Sequence, residues 1–295
     1  MKKRKKAGLF LIVFCAVLLL TAIVPLVKFY TGYRVYKNIE YGQGKLNVID
    51  VYMPNRQKSN GVILFIHGGS WSSGDKSEED FRCRILASNG FMSATLNYSL
   101  YSQETASEYS VFTVLNEIDL ALNKLKEFAS SSGQNINKVA LCGYSAGAHL
   151  ATLYSYSRTE SAPLKIAFTA SMAGPVDIST NAWSEELTSS IASILLQKDI
   201  SKEDVLDGSV NDILLTISPI SYISKNSPPT LIIHGGKDEV VSIKNAEALV
   251  QKLTENNVEF KYFYLENSTH ALIENPFKHI KFLNELINYS KKYFT

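Results

Sequence analysis

Two spacings of apolar residues alternate along the chain, and each predicts a different element. "LNVIDVYMP" alternates apolar with polar positions and stops at Pro54, the pattern of a half-exposed strand. "GVILFIHGGSW" is apolar without interruption until it meets glycines, as a strand buried on both faces reads before it enters a loop. "FMSATLNY", "NKVALCG", "LKIAFTASMAG" and "PPTLIIHGG" read as further buried strands, and "VEFKYFYLE" alternates again. Between them lie segments with apolar residues at helical spacing: "SEEDFRCRILASNG", "FTVLNEIDLALNKLKEFA", "SAGAHLATLYSYS", "SIKNAEALVQKLTENN" with Ser242 as its expected N-cap, and "PFKHIKFLNELINYSKKYF". Strands that alternate with helices, most of them apolar throughout, predict a mostly parallel sheet covered on both faces. A short connector precedes the first strand, and no linker divides residues 34–295. From 178 to 222 the pattern loosens into one or two helices with polar turns, which predicts a cap inserted on this sheet.

The N-terminus follows neither pattern. Leu9 to Val27 is a run of 19 residues without a charge, preceded by "MKKRKK". That length is close to the ~20 residues that span a bilayer. Residues 1–33 are therefore expected to be a cytoplasmic basic tip and a transmembrane helix, with the body outside the cell membrane. The alternative is a protein secreted after signal cleavage, but the best cleavage site, after Ala22, has the large Leu20 at its −3 position. Phe14, before Cys15, is too bulky for a good lipoprotein signal.

Charge changes the picture only once this segment is set apart. The whole 295-residue chain has a net charge of +2, but six of its 30 basic residues lie in residues 1–28, which contain no acid. The remaining 24 basic residues face 28 acidic ones. A mildly acidic body of this kind argues against a nucleic-acid partner. Cys15, Cys83 and Cys142 are odd in number and match no metal-site spacing, so they are expected as small buried hydrophobes.

The candidate chemistry starts at "ALCGYSAGAHLA". Ser145 stands between Gly143 and Gly147, directly after an apolar run and before a small-residue helix. It caps that helix, or it presents a hydroxyl for attack. A serine nucleophile needs a base. Of the five histidines, His67 and His234 end buried strands, His149 shares the serine's helix and His279 lies on the last helix. His270, in "LENSTHALIEN", is on a late loop from which an imidazole can swing over the serine. The acid that orients it is expected at Asp238, just beyond "LIIHGG", with Glu239 and Asp177 as rivals. "HGGSW" supplies a glycine-lined loop whose N–H groups can receive an oxyanion, from Gly69 and Ser70, joined by the N–H of Ala146. Trp71 and Tyr144 are expected at the substrate pocket.

With "HGGSW", "NYSL", "GYSAGAHLA", "SPISYISKNSPPTLIIHGGKDEVV" and "STHAL" in this order, the chain resembles the α/β-hydrolase superfamily. Within it, the chain resembles the esterases of the hormone-sensitive-lipase-like and bacterial feruloyl-esterase-like branch. The resemblance covers most of residues 45–290. It implies an α/β-hydrolase fold with an eight-stranded, mostly parallel sheet, and a strained strand-to-helix turn at Ser145 in which the glycines remove clashing Cβ atoms. It further implies a Ser145–Asp238–His270 triad, no metal, no organic cofactor, and hydrolysis of a small-molecule ester through an acyl-serine. Tyr144 stands where the lipase-like branch often has an acid, and the loop reads Gly-Gly-Ser where that branch has three glycines. Both departures favour the feruloyl-esterase-like or carbohydrate-esterase-like branch. A serine peptidase, an acyltransferase and a catalytically silent binding module are the competing functions on the same fold.

Overall fold

Eight strands form one sheet in the order β1-β2-β4-β3-β5-β6-β7-β8. They are β1 Tyr33–Glu40, β2 Val48–Pro54, β3 Gly61–Ile66, β4 Met92–Leu96, β5 Lys138–Tyr144, β6 Lys165–Met172, β7 Thr230–Gly235 and β8 Phe260–Leu265. The structure is a computed structural model that describes residues 31–57, 59–102 and 109–294. The expected membrane segment lies outside the described residues, except for its last three. Among the described residues no helix is long and apolar enough to cross a membrane.

β1 pairs antiparallel with β2, and β2 antiparallel with β4; every later pairing is parallel. The sequence places β1 in the N-terminal segment and connector, and the structure corrects this. Its register slips between Tyr36 and Ile39, where Asn38 takes φ 55°. A bulge of this kind breaks the period-two alternation by which a strand is read.

The central strands separate the core into two layers. Val62, Leu64 and Ile66 of β3, with Val139 and Leu141 of β5, face one cluster; Ile63, Phe65, Ala140 and Cys142 face the other. The first layer is covered by α2 (Val111–Ser131) and α3 (Ala146–Ser157). The second is covered by α1 (Asp80–Ser88) and by the last helix, Pro276–Tyr293. Cys83 and Cys142 are both buried and unpaired.

The loosely patterned stretch resolves into three short helices and a 3₁₀ turn: α4 Glu185–Leu196, α5 Lys202–Leu206, α6 Asn211–Ile217 and Pro219–Tyr222. Ile191, Leu195, Leu214 and Ile217 join the first core cluster, so the insertion packs on the sheet domain. α7 spans Lys244–Glu255 and α8 is the last helix, Pro276–Tyr293. Ser242 stands one residue before the capping position of α7, which is Ile243, and its hydroxyl accepts the N–H of Lys244, the first residue of the helix, at 3.4 Å.

Candidate active site

Ser145 sits where β5 ends and α3 begins, with φ 52° and ψ −122°. A non-glycine residue there carries backbone strain of about 1–3 kcal/mol, so the surroundings must impose it. They do so through its neighbours. Its N–H donates to the Met172 carbonyl at 2.8 Å, and its carbonyl accepts from Ala148 and His149 at 2.9 and 3.1 Å. The flanking glycines let the turn close. A Cβ on Gly143 would lie 2.1 Å from the Gly147 carbonyl oxygen, and one on Gly147 would lie 2.1 Å from that of Ile66. No side-chain bond caps α3 through Ser145. Its hydroxyl points to an imidazole.

That imidazole belongs to His270, whose Nε2 is 2.9 Å from Ser145 Oγ. The His270 Nδ1 is 2.8 Å from Asp238 Oδ2. A carboxylate only accepts, so Nδ1 carries the proton and donates to Asp238, and the Nε2 lone pair faces the serine hydroxyl. The loop that carries His270 lies against the end of β7, where Gly235 leaves room: a Cβ would meet the Ser268 carbonyl oxygen at 2.3 Å. Tyr144 donates its hydroxyl to the His270 carbonyl at 2.9 Å.

Asp238 follows β7 and is held from three sides. Its Oδ1 accepts the N–H groups of Val240 and Val241 at 3.0 and 2.8 Å, while Oδ2 receives His270. His234 Nε2 lies 3.4 Å from Oδ2 and 2.9 Å from the Val241 carbonyl. Burial raises the Asp238 carboxyl, but donation from His234, His270 and the Val241 N–H outweighs it and holds the group well below the usual carboxylate range. The rival acids make no bond to His270, whose two ring nitrogens meet Asp238 and Ser145; Glu239 is exposed, and the Asp177 main-chain carbonyl accepts from the Trp183 indole.

The loop after β3 turns through three consecutive residues of positive φ: Gly69 at 109°, Ser70 at 51° and Trp71 at 60°. Gly69 is required at its position, since a Cβ would lie 2.1 Å from the Ser73 carbonyl oxygen. Ser70 and Ala146 line the cleft beside Ser145, and Ala146, as the first residue of α3, has an N–H that the helix itself cannot pair. Gly69 lies one residue behind them, with its carbonyl taken by Ser72 and Ser73.

The cleft above Ser145 has a volume of about 270 Å³, and its walls are mainly apolar: Trp71, Pro175, Trp183, Leu187, Ile191 and Ile194. Trp71, expected at the pocket, is one of these walls. Tyr144 is not: it packs beside the His270 ring, 5.2 Å between centroids, and does not line the cleft. The reason is that side chains alternate along a strand, so the residue before the serine points to the opposite side from the cleft. Three features escape the sequence reading, namely the cap residues Trp183, Leu187 and Ile191, the placing of His234 beside Asp238, and a bond between Trp71 and His149. The first and the last join segments distant in the chain and have no local signal, whereas His234 and Asp238 stand four residues apart and are brought together by the turn after β7. Among the described residues no group of three His, Cys, Asp or Glu side chains is disposed to hold a metal ion.

Comparison with known proteins gives the family and the fold. Esterase LipC of Mycobacterium tuberculosis is 23% identical over 233 residues, covering 74% of this chain and 54% of that protein. The probable isoprenylcysteine alpha-carbonyl methylesterase ICME of Oryza sativa subsp. japonica is 24% identical over 277 residues, covering 89% of this chain and 65% of that one. The chain thus spans between half and two thirds of the length of these curated relatives. Among solved structures, a truncated carbohydrate esterase from gut microbiota superposes with a TM-score of 0.73 at 17% identity, over 88% of this chain and 96% of that one. The sequence model of the BD-FAE family matches residues 49–253, which include Ser145 and Asp238 and stop short of His270. The chain belongs to the BD-FAE family and has the α/β-hydrolase fold.

Proposed function

We propose that the protein is a serine hydrolase that cleaves carboxylic esters through an acyl-serine. The observation that carries this reading is the continuous chain of bonds Ser145–His270–Asp238, at 2.9 and 2.8 Å, opening on an apolar cleft. The names of its relatives, esterases in each case reported above, favour the same chemistry.

The steps follow from the geometry. His270 Nε2 takes the Ser145 proton as Oγ attacks the ester carbonyl carbon, and Asp238 stabilises the imidazolium that forms. The oxyanion is received by the N–H groups of Ser70 and Ala146, with that of Gly69 behind them. Collapse breaks the bond to the alcohol, which leaves with the proton from His270. Water then gives a proton to His270 and attacks the acyl carbon, and the bond to Ser145 Oγ breaks as His270 returns that proton to it, freeing the acid. Removal of one oxyanion donor costs about 3 kcal/mol of transition-state stabilisation.

The direct test compares the full-length protein with Ser145→Ala on p-nitrophenyl acetate, butyrate and octanoate. Turnover by the parent and loss of turnover, by a factor of about 10⁶, in the variant is the expected result. A folded parent that releases nothing from any ester overturns the reading and brings peptide cleavage, acyl transfer and binding forward.

For the chain as a whole, we infer that residues 1–33 anchor residues 34–295 to the outer face of the cell membrane, with 178–222 as a cap. The support is the uncharged run after a basic tip. Membrane fractions that retain the protein after alkaline washing, and whole cells on which added protease removes it, are the expected outcomes; release into the medium means a cleaved signal instead.

A further inference from the structure

His149 is fully buried, four residues beyond Ser145 on α3, and the reaction steps above make no use of it. Its ring touches two other parts of the site. The Trp71 indole Nε1–H donates to His149 Nδ1 at 3.2 Å, and His149 Nε2 lies 2.8 Å from the carbonyl of Ile217, the last residue of α6. An indole nitrogen only donates. Nδ1 is therefore the acceptor, and the neutral ring carries its proton on Nε2, where it donates to Ile217. One imidazole in one tautomer thus ties the nucleophile helix to the loop after β3 and to the end of the cap.

The loop needs such a tie. Ser70 and Trp71 both hold positive φ, at 51° and 60°, where a non-glycine residue is strained by about 1–3 kcal/mol and stays only if its surroundings hold it. Trp71 is held at its two ends. Its carbonyl accepts from the Tyr101 N–H at 2.8 Å, and its indole is held by His149, edge to face at 5.3 Å between centroids. With the indole bond lost, the carbonyl bond and the non-directional packing of the buried ring remain, neither of which fixes the ring's orientation, and the strain relaxes by turning the Ser70–Trp71 backbone. The Ser70 N–H turns with it.

We propose that His149 is a positioning residue for ester hydrolysis: by accepting from the Trp71 indole it holds the Ser70 N–H where the oxyanion forms, and by donating to Ile217 it holds the cap at the cleft. The role rests on the ester-hydrolase reading given above. Burial lowers the His149 imidazole to about 4, so the ring stays neutral and its Nδ1 lone pair remains free for Trp71 near neutral pH.

Two amides separate the two bonds. In His149→Asn the amide oxygen takes the place of Nδ1 and still accepts from Trp71, while the reach to Ile217 is lost. In His149→Gln the amide nitrogen still reaches Ile217, and nothing stands where Nδ1 stood. The experiment measures kcat and KM of full-length wild type, His149→Gln, His149→Asn, Trp71→Phe and the Trp71→Phe/His149→Gln double variant on p-nitrophenyl butyrate. Each is normalised to active sites by stoichiometric labelling of Ser145 with a p-nitrophenyl phosphonate. His149→Gln and Trp71→Phe are expected to lower kcat by about 10- to 100-fold with KM within about twofold. The double variant is expected to be no worse than either alone. His149→Asn is expected to recover most of kcat and to raise KM. A purely structural role lowers the fraction of labelled sites in every variant and produces no such split. Wild-type kcat in His149→Gln and Trp71→Phe, or His149→Asn as slow as His149→Gln, overturns the positioning role and leaves the hydrolase reading intact. A wild type inert on every ester overturns both.

Discussion

Gly147→Ala tests whether the elbow is held by steric contact, because two physical effects predict opposite signs for it. Gly147 lies in the first turn of α3, and its backbone is not in the left-handed region. On helix propensity alone, alanine there stabilises by up to about 1 kcal/mol. The added Cβ, however, would lie 2.1 Å from the Ile66 carbonyl oxygen and 2.4 Å from that of His67, where ordinary contact begins near 3.4 Å. Both oxygens belong to backbone at the end of β3, a central strand, so neither moves as a flexible side chain would. α3 and β3 must part by about 1 Å, and overpacking of this kind costs about 1–3 kcal/mol or more. At about 2–4 °C per kcal/mol for a protein of this size, the melting temperature is expected to fall by about 3–10 °C. The same displacement carries Ser145 and the Ala146 N–H away from His270 and Ser70. A misplacement of about 1 Å at reacting groups lowers kcat by about 10²-fold. Thermal melting by circular dichroism and kcat on p-nitrophenyl butyrate read the two effects separately. Gly133→Ala is the comparison: its φ is +74° and nothing lies within 4 Å, so only the backbone term, about 1–2 kcal/mol, is expected, with kcat unchanged. A Gly147→Ala protein that melts at or above the wild-type temperature with wild-type kcat would refute the packing argument for the elbow.

Further outcomes follow from the same geometry. Asp238→Asn is expected to lower kcat by about 10⁴-fold, while Glu239→Gln, exposed and away from His270, leaves it within about twofold. Because the folded Asp238 carboxyl is held low, its contribution to stability is present above the unfolded value near ~3.9 and is lost as pH falls through the folded one. The stability gap between wild type and Asp238→Asn in urea melts should therefore narrow progressively as the pH falls below about 5; a gap that widens on acidification contradicts the assignment. Leu187, half exposed at the rim of the cleft, becomes an obstruction as tryptophan. Leu187→Trp is expected to lower the octanoate-to-acetate ratio of kcat/KM by about 10-fold, and an unchanged ratio places the acyl chain elsewhere.

How far the fold is legible in the sequence differs from element to element. β3, β5 and β7 are short apolar runs buried on both faces, and such runs have no polar side to confuse their reading. β1 is missed because it is an edge strand with a bulge at Asn38. The order of the strands, with β4 between β2 and β3, carries no local mark at all. The cap is legible only as a loosening of pattern, since α5 and α6 are five and seven residues long and too short to display a helical period. Ser145 is legible because close approach of backbones demands glycine at fixed offsets, and glycine is visible in a sequence. Asp238 and His270 are legible as loop residues in a known order, but their 2.8 Å bond joins residues 32 apart.

What the sequence determines by itself is therefore local: where the chain must be buried, where it must turn, and which residue types capable of acid–base and nucleophilic chemistry stand at those turns. Tertiary structure alone decides the remainder. It selects Asp238 over Glu239 and Asp177, sends Tyr144 to the back of His270, brings the cap helix over Ser145, and makes His149 the joint between Trp71 and Ile217. The physical reason is that hydrophobic burial is non-directional and reads as composition along the chain, whereas a hydrogen bond is specific to the partner that packing delivers, and packing is set by the whole sheet at once.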